Sequence, residues 1–581
     1  MSLPSKVLYI DLTKRKYWSE DRGELFQLYL GGSGVAIRLL EEECPRGADP
    51  LGPENPIIFA VGPLNGVLPI ASKTVTMFKS PLTGNLGESH AGGRSAIAIR
   101  SAGYGAIVIK GASDIPVYLA IHGDKVFFRD ARALWGMSSA ITVGRVIREL
   151  EPSPGTRSIM RIGRAGENLV RYAAVMLETY RHFGRLGLGA VFGSKKLKAV
   201  VVSGTNTIQV KDRRLFRQVY DEIYELSIKS PLMRKYYELG TPFNINPLNE
   251  IKALPVKNLK EANSPLAKNI SGELMAEKFL GRRVACAHCP VACIHLAALR
   301  EPYVDEKYFY KTTMISYDYE PSYALGSMIG VFDPQGLLKL LDVIEVLGLD
   351  AMSTGVALAW ATEALEHGVI TVKETEVELK WGDHEGYIKA IHKLAGASNE
   401  FYKALGMGVE RASEIYGGRD FALSFGKNEM PGYHTGPLAH IGCLTGARHS
   451  HLDSAGYSVD QKYLKEGKLP DPEKGADELV KEEAWRQVLT SLVICLFARK
   501  LYDEQMVIKS LKILGIEWSG EELRKFGMEV LKAKNKFKFR EGFDPNKLRI
   551  PERILETPSP HGRIDREYIE RAIKRFYENL A

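Results

Sequence analysis

Three cysteines within eight residues, Cys286, Cys289 and Cys293 of CAHCPVAC, are the densest metal-binding chemistry in the sequence. Gaps of two and three residues let several thiolates converge from one loop on a single inorganic centre. A cubane iron–sulfur cluster takes four thiolates, so the loop needs a remote partner. Cys495, in the apolar and helix-like stretch SLVICLFARKLY, is best placed to supply it. Zinc is the alternative, because four sulfur or imidazole ligands satisfy it and His288 or His295 could complete the set. The spacing favours iron–sulfur. Cys44 and Cys443 stand alone and read as small core residues.

Two glycine-rich stretches, 79–111 and 184–200, could bring backbone N–H groups close to an anion, with Lys73, Arg94, Arg185 and Lys195 adding positive charge at a phosphate. Neither fits the dinucleotide fingerprint or the P-loop. Tight turns in a β-rich lobe would use the same glycines, and both readings stand at this level.

A chain of 581 residues implies several domains or one multi-lobed enzyme able to bury a cofactor. Six cysteines at this length point to a metal or redox site in a reducing compartment rather than a disulfide framework. The N-terminal MSLPSKVLYIDLTKRKYW lacks the apolar run of a secretory signal, and no stretch is apolar enough to span a bilayer, so a cytoplasmic location is expected. The net charge of +8 suits acidic protein partners, but it is spread over the chain without a basic block, which argues against nucleic-acid binding.

The elements that must hold these residues divide the chain. From residue 1 to 208, short apolar segments between glycine-rich turns read as strands: KVLYIDL, NPIIFAVGPL, KTVTMF, SAIAIRSAG, GAIVIKG, VYLAIHG, KVFFRD and LKAVVVSG. Helices are expected near 133–150 and 165–176. Beyond residue 210 the apolar spacing becomes helical, as in RRLFRQVYDEIYELSI, QGLLKLLDVIEVLG and TGVALAWATEALEHG, with proline-bearing breaks at 253–273 and 458–480. The expected class is α+β: a β-rich base (1–208) followed by two mainly helical domains (209–415 and 416–581).

An ordered set of motifs resembles the tungsten-containing aldehyde:ferredoxin oxidoreductase family: YLGGSG (29–34), NPIIFAVGPL (55–64), KSPLTG (79–84), AGYGAIVIKG (102–111), IGRAGEN (162–168), GRLGLGAVFGSKKLKAV (184–200), CAHCPVAC (286–293), YDYEPSYALGS (317–327), LGLDAMSTG (347–355) and TGARHSH (445–451). The resemblance implies a tungsten, or molybdenum, held by two pterin dithiolenes on the β-rich base. It also implies a Mg²⁺ ion bridging the pterin phosphates and a [4Fe–4S] cluster on Cys286, Cys289, Cys293 and Cys495. Glu320 matches the family's active-site glutamate and His449 its histidine, with His451 competing; Tyr433 matches a tyrosine that lines some members' pockets. Lys73, His90, Gly92, Gly93, Arg185, Leu186 and Gly187 fall in the implied pterin-binding segments.

Two departures stand out. Lys73 and His90 replace the family's usual Arg and Asn, and lysine lacks the planar fork that grips phosphate. The paired pterin motifs, normally Asp followed by Gly-Leu and then Asp or Cys, read EVLGLD (Glu345, Leu349, Asp350) and TSLVIC, in which Thr490 and Val493 replace Asp and Gly beside Ile494 and Cys495. The implied activity is aldehyde oxidation to a carboxylic acid, with electrons passing through the cluster to ferredoxin or a small ferredoxin-like subunit, in a homo- or hetero-oligomer. Glu320 would activate the oxygen nucleophile, His449 shuttle a proton and Tyr433 orient the aldehyde. Reduction of an acid or a ring by the same centre with iron–sulfur partner subunits is the alternative within enzymes. A zinc-stabilised binding protein is the alternative outside them.

Overall fold

The computed structural model describes residues 3–581 except 152–155, 179, 209, 211 and 304–305, and leaves out the side chains of 306 and 307. Strands β1 (Lys6–Asp11), β2 (Lys16–Asp21), β3 (Ile57–Ala60), β4 (Thr74–Lys79), β5 (Leu86–Ala91) and β6 (Ala106–Lys110) form one mixed sheet in the order β2-β1-β6-β3-β4-β5. Strands β7 (Val117–His122), β8 (Lys125–Asp130), β9 (Thr156–Arg161), β10 (Val175–Met176), β11 (His182–Phe183) and β12 (Leu197–Gly204) form a second, ordered β11-β10-β9-β12-β7-β8. Each sheet has one parallel pair, β1 with β6 and β7 with β12. A shared apolar core lies between them, with Leu8, Phe59 and Ile107 from the first sheet and Leu119, Val200 and Val202 from the second.

SAIAIRSAG, expected as a strand, is the helix Ser95–Ala102, which sends Ala98 and Ile99 into that core. A short apolar run carries no period that separates the two states, and here Gly103, left-handed at φ 98°, ends a helical turn. The helix expected over 165–176 stops at Glu167. Leu169 turns left-handed (φ 60°), and the chain then runs extended and buried so that Ala173 bridges Leu349 and the Tyr172 carbonyl accepts from the Asp350 N–H at 3.1 Å. Long-range pairing outweighs local propensity there.

Beyond residue 212 the chain is mostly helical, and the three quoted helical segments form Arg213–Lys229, Pro334–Leu347 and Ala351–Glu366. In the 458–480 segment the break is confined to residues 467–471, which include Pro470. The rest belongs to the helices Gly456–Glu466 and Pro472–Ser491, with Pro472 tolerated because it starts the second. A three-stranded antiparallel sheet, β13 (Leu280–Val284), β14 (Ile294–Tyr303) and β15 (Glu306–Tyr317), interrupts the helices and places the cysteine loop between β13 and β14. Among the described residues no helix is long and apolar enough to cross a membrane.

The helix Gly32–Glu43 joins the β-rich base to the C-terminal helices, packing on β3 and β4 and on the helices Pro472–Ser491 and Gly520–Arg540. Gly32 makes this possible. Its φ is +40°, and a Cβ there would lie 2.1 Å from the Thr490 carbonyl oxygen and 2.9 Å from a Val493 methyl. Gly32→Ala should therefore lower stability by about 1–3 kcal/mol, read as a drop in thermal midpoint. An unchanged midpoint would contradict the close approach.

Candidate active site

Glu320 stands in the first turn of the short helix Tyr319–Ala324, which follows β15 directly. The residue before that helix anchors it: the Asp318 carboxylate accepts from Arg181 Nη1 at 2.7 Å and Thr241 Oγ1 at 3.0 Å, and the same hydroxyl accepts from Tyr319 N–H at 2.8 Å. On the far side Tyr319 Oη donates to the Gly432 carbonyl and Tyr323 Oη to the Met430 carbonyl. The helix is thus pinned to the loop that carries Tyr433.

Two side chains meet at one carboxylate oxygen of Glu320. Tyr433 Oη donates to Glu320 Oε1 at 3.3 Å, and His451 Nε2 lies 3.2 Å from the same atom. The imidazole is off the hydrogen-bonding line, and both its buried nitrogens lack a hydrogen-bond partner. Burial would raise the Glu320 pKa, but His451, and then Tyr433, outweigh it and hold the carboxyl below its ordinary value. Burial, reinforced by the Glu320 charge, pushes the Tyr433 phenol far up, so it remains a donor. Its ring stacks on Tyr457 at 4.3 Å and tilts against His451 at 5.2 Å.

His449 does not join this group. It is buried with φ 54°, Nδ1 3.1 Å from the Cys443 carbonyl, and its ring lies against Gly426 and Phe543. Two residues of left-handed turn and capping box rotate His451 into the cavity instead.

That cavity, with about 1310 Å³ of empty space including part open to solvent, lies between the β-rich base and the helical half. Its wall is a row of three contacts from the segment 181–185: the ion pairs Arg181 to Asp318 (2.7 Å) and Arg185 to Asp350 (3.2 Å), with His182 Nε2 2.9 Å from Glu345 Oε1 between them. Arg185 Nη2 also donates to the Glu429 carbonyl at 2.8 Å, while Arg185 Nη1 and Arg181 Nη2 are buried without partners. Asp350 caps the helix Ala351–Glu366 and accepts from Ser353 Oγ at 2.6 Å; that hydroxyl also touches Glu429 Oε2 at 2.7 Å. Burial pushes the Glu429 carboxyl up to about 7 despite Ser353 and Arg185. On the opposite side His90 Nε2 lies 2.6 Å from Glu88 Oε1, with Lys534 Nζ 2.5 Å from Oε2. Burial, with Arg448 adding, lowers the His90 pKa to about 4, so the ring is neutral.

The cysteines form a second group. Cys495 is not helical; it lies in a turn after the helix Pro472–Ser491, where its N–H donates to the Ile70 carbonyl at 3.2 Å. The Ile70 N–H donates to the His288 carbonyl at 2.9 Å, so one residue of the base ties Cys495 to the CAHCPVAC loop. Gly92 lets Cys286 approach, since a Cβ there would be 2.5 Å from Sγ and 3.3 Å from Lys73 Nζ. All four thiols, Lys73 and Arg181 share one electrostatic neighbourhood: burial raises Cys289 to about 12, reinforced by Cys286 and Cys495, and raises Cys293 against the opposing Arg181. Among the described residues no three Cys, His, Asp or Glu side chains are close enough to chelate one ion.

Two family models match the chain, the aldehyde ferredoxin oxidoreductase N-terminal domain over residues 7–204 and domains 2 and 3 over residues 218–580. The chain belongs to the aldehyde ferredoxin oxidoreductase family. It is 34% identical to the tungsten-containing aldehyde ferredoxin oxidoreductases of Pyrococcus abyssi (96% of this chain, 92% of the relative) and Pyrococcus furiosus (93% and 89%). It is 28% identical to the WOR-like subunit of an aliphatic sulfonate oxidoreductase of Pyrococcus furiosus (99% and 94%). Its fold matches a chain of the active-site complex BamBC of benzoyl coenzyme A reductase with 1,5-dienoyl-CoA, with a TM-score of 0.83 at 23% identity, over 99% of this chain and 94% of that one.

Of the positions expected from the sequence, His90, Arg185, Leu186, Glu345, Leu349, Asp350 and Glu320 line the cavity. Lys73, Gly92 and Gly93 lie with the cysteines, the Gly93 carbonyl accepting from Ala287 N–H. Gly187, left-handed at φ 86°, turns the loop rather than lining it. Thr490 and Ile494 are buried away from the cavity, and Thr490 Oγ1 bonds within its own helix. Val493 has φ +57°, a strained state for a β-branched side chain, and the bare backbones of Gly32 and Gly62 leave room for its methyls. Lys195 is no phosphate ligand, being buried among the carbonyls of Gly52, Pro53 and Gly111, and exposed Arg94 lies outside the cavity. Cys44 and Cys443 are buried.

Glu88, Arg181, His182, Asp318 and Glu429 were not singled out from sequence. Only Arg181 and His182 carried a signal, as basic residues just ahead of GRLG. The raised Glu429 pKa fixes a sign: the native state keeps the proton longer than the unfolded chain, so this contribution is complete below about pH 4.5 and lost as pH rises through 7. In cofactor-free protein, Glu429→Gln should flatten the fall in stability between those values. An identical pH slope in the variant, measured by denaturant unfolding, would contradict the assignment.

Proposed function

We propose that the chain is a tungsten bis-pterin oxidoreductase that oxidises aldehydes to carboxylic acids and passes electrons through a [4Fe–4S] cluster to ferredoxin or a small ferredoxin-like subunit. The observation that carries the reading is the convergence of Glu320, Tyr433 and His451 at one edge of a cavity whose wall also presents unpartnered guanidinium N–H groups. Those orphans, Arg185 Nη1 and Arg181 Nη2, fit an anionic cofactor, because buried donors left unpaired cost about 1–3 kcal/mol each and phosphate would satisfy them. A Mg²⁺ ion on the phosphates would offset the remaining charge near Glu88 and Asp350. Four thiols beside Lys73 and Arg181 fit a thiolate-ligated cluster, and loading it must displace the protons that burial keeps on Cys289 and Cys293.

The domain expectation assigns 1–208 as the base, 209–415 as carrier of Glu320 and the cysteine loop, and 416–581 as carrier of Cys495 and the active-site histidine, expected as His449 and read here as His451. When bound, the metal–pterin centre would accept the two electrons and act as Lewis acid toward the carbonyl. Ionised Glu320 takes a proton from water as its oxygen attacks the carbonyl carbon. Tyr433, held protonated, donates to the carbonyl oxygen. His451, within reach of Glu320, carries the proton onward. Aldehyde and water thus yield acid, two electrons and two protons.

The second reading is a low-potential reduction at the same centre with iron–sulfur partner subunits, favoured by the fold shared with the BamBC chain and by the altered second pterin motif. Elemental analysis of anaerobically purified protein should find about one tungsten and four irons per chain; zinc without tungsten or molybdenum would overturn the reading. Glu320→Gln should lower aldehyde turnover at least about a hundredfold with tungsten and iron contents unchanged. Turnover near that of the parent would remove Glu320 from the mechanism.

A further inference from the structure

The cysteine loop opens to the surface. Ala285 and His288 are exposed, and Cys286, Cys289, Cys293 and Cys495 are half-buried, so a cluster held there would lie just beneath the protein surface. From Val284 to Leu299 the chain has no Asp, Glu, Lys or Arg, and alanine or proline fills most positions between the loop's cysteines. Little side-chain bulk therefore separates the thiols from whatever approaches, and electron transfer weakens exponentially with distance.

Exposed cations frame this neutral loop. Arg282 and Arg283 stand in β13 just ahead of Cys286. Arg94 follows Gly93, whose carbonyl accepts from the Ala287 N–H at 2.9 Å. Among the described residues none of the three pairs with a carboxylate. Arg283 Nε donates instead to the Tyr237 carbonyl at 2.7 Å, and its guanidinium lies 4.7 Å from the centroid of the exposed Tyr237 ring. The helix carrying that tyrosine, Pro231–Leu239, also reaches the turn of the fourth cysteine, where Tyr236 stacks at 5.2 Å on Phe497, two residues past Cys495. Its only carboxylate, Glu238, is taken by Arg234 at 2.7 Å.

We propose that this face, the cysteine loop framed by Arg94, Arg282 and Arg283, docks a small acidic iron–sulfur protein of the ferredoxin kind. A positive rim around an uncharged, partly aromatic centre complements an acidic partner and raises its rate of encounter. A second copy of the chain does not fit, because a two-fold contact would set the same arginines against each other. Each encounter oxidises the enzyme's cluster by one electron and reduces the partner's by one, so two encounters clear one two-electron turnover. The inference rests on the proposed [4Fe–4S] cluster and not on which substrate is oxidised.

The test uses the loaded enzyme and an acidic [4Fe–4S] ferredoxin. Calorimetric titration should show binding that salt weakens and that is about tenfold or more weaker in Arg94→Glu/Arg282→Glu. Arg94→Lys/Arg282→Lys should retain it, because charge rather than a planar fork does the steering. Ferredoxin reduction by pre-reduced enzyme, at limiting ferredoxin, should slow about tenfold in Arg94→Glu/Arg282→Glu, while reduction of a small neutral quinone stays near the parent's rate. Salt-independent binding, equal ferredoxin binding by Arg94→Glu/Arg282→Glu, a parallel slowing with the quinone, or a parent dimer that excludes ferredoxin would overturn the docking face. Iron-containing enzyme that binds ferredoxin but oxidises no aldehyde would sink the aldehyde reading alone; protein without iron would sink both. If Arg94→Glu/Arg282→Glu does not fold, the salt dependence of the parent and the binding of Arg94→Gln decide the question.

Discussion

The cavity depends on a row of polar contacts across a seam: Arg181, His182 and Arg185 on one segment of the β-rich base meet Asp318, Glu345 and Asp350 on three elements of the helical half, the two arginines as ion pairs. Partly buried pairs of this kind add little net stability, because desolvation consumes much of the Coulomb gain. What they fix is register. Two of the acids also organise the backbone beside them. Asp318 anchors the Glu320 helix and Asp350 caps the helix Ala351–Glu366, so the loop aligns backbone as well as charge.

The same seam couples the two chemical spaces. Arg181 lines the cavity and shares the electrostatic field of the cysteines, while its Asp318 partner is two residues from Glu320. Ile70 supplies the corresponding backbone link, accepting from Cys495 and donating to the loop of the other three cysteines. Glycines at Gly32, Gly62 and Gly92 permit these approaches, since each stands where a Cβ would collide with a neighbour from another part of the chain.

The three cysteines at close spacing, the glycine-rich loops and the helical periods after residue 210 were legible because each is a local pattern whose meaning survives without neighbours. Glu320 and Tyr433 were legible through family motifs. His449 and His451 could not be separated, because two residues of turn decide which ring faces inward, and a left-handed φ at a histidine leaves no mark in composition. The Ser95–Ala102 helix and the β13–β15 sheet were misread or missed for a related reason: short apolar runs take the conformation that their long-range partners require.

Glu88 paired with Lys534, Glu429 behind Ser353, and Arg486 against the Leu452 carbonyl carry no motif signature of their own, and their importance comes from being buried beside particular partners. Residue types, spacing and family were thus determined by sequence alone, since ligand chemistry and helical period are written in consecutive residues. Which imidazole meets Glu320, which cations remain unpaired and how Cys495 reaches its loop were decided only by tertiary structure, because burial and pairing are properties of groups brought together across hundreds of residues.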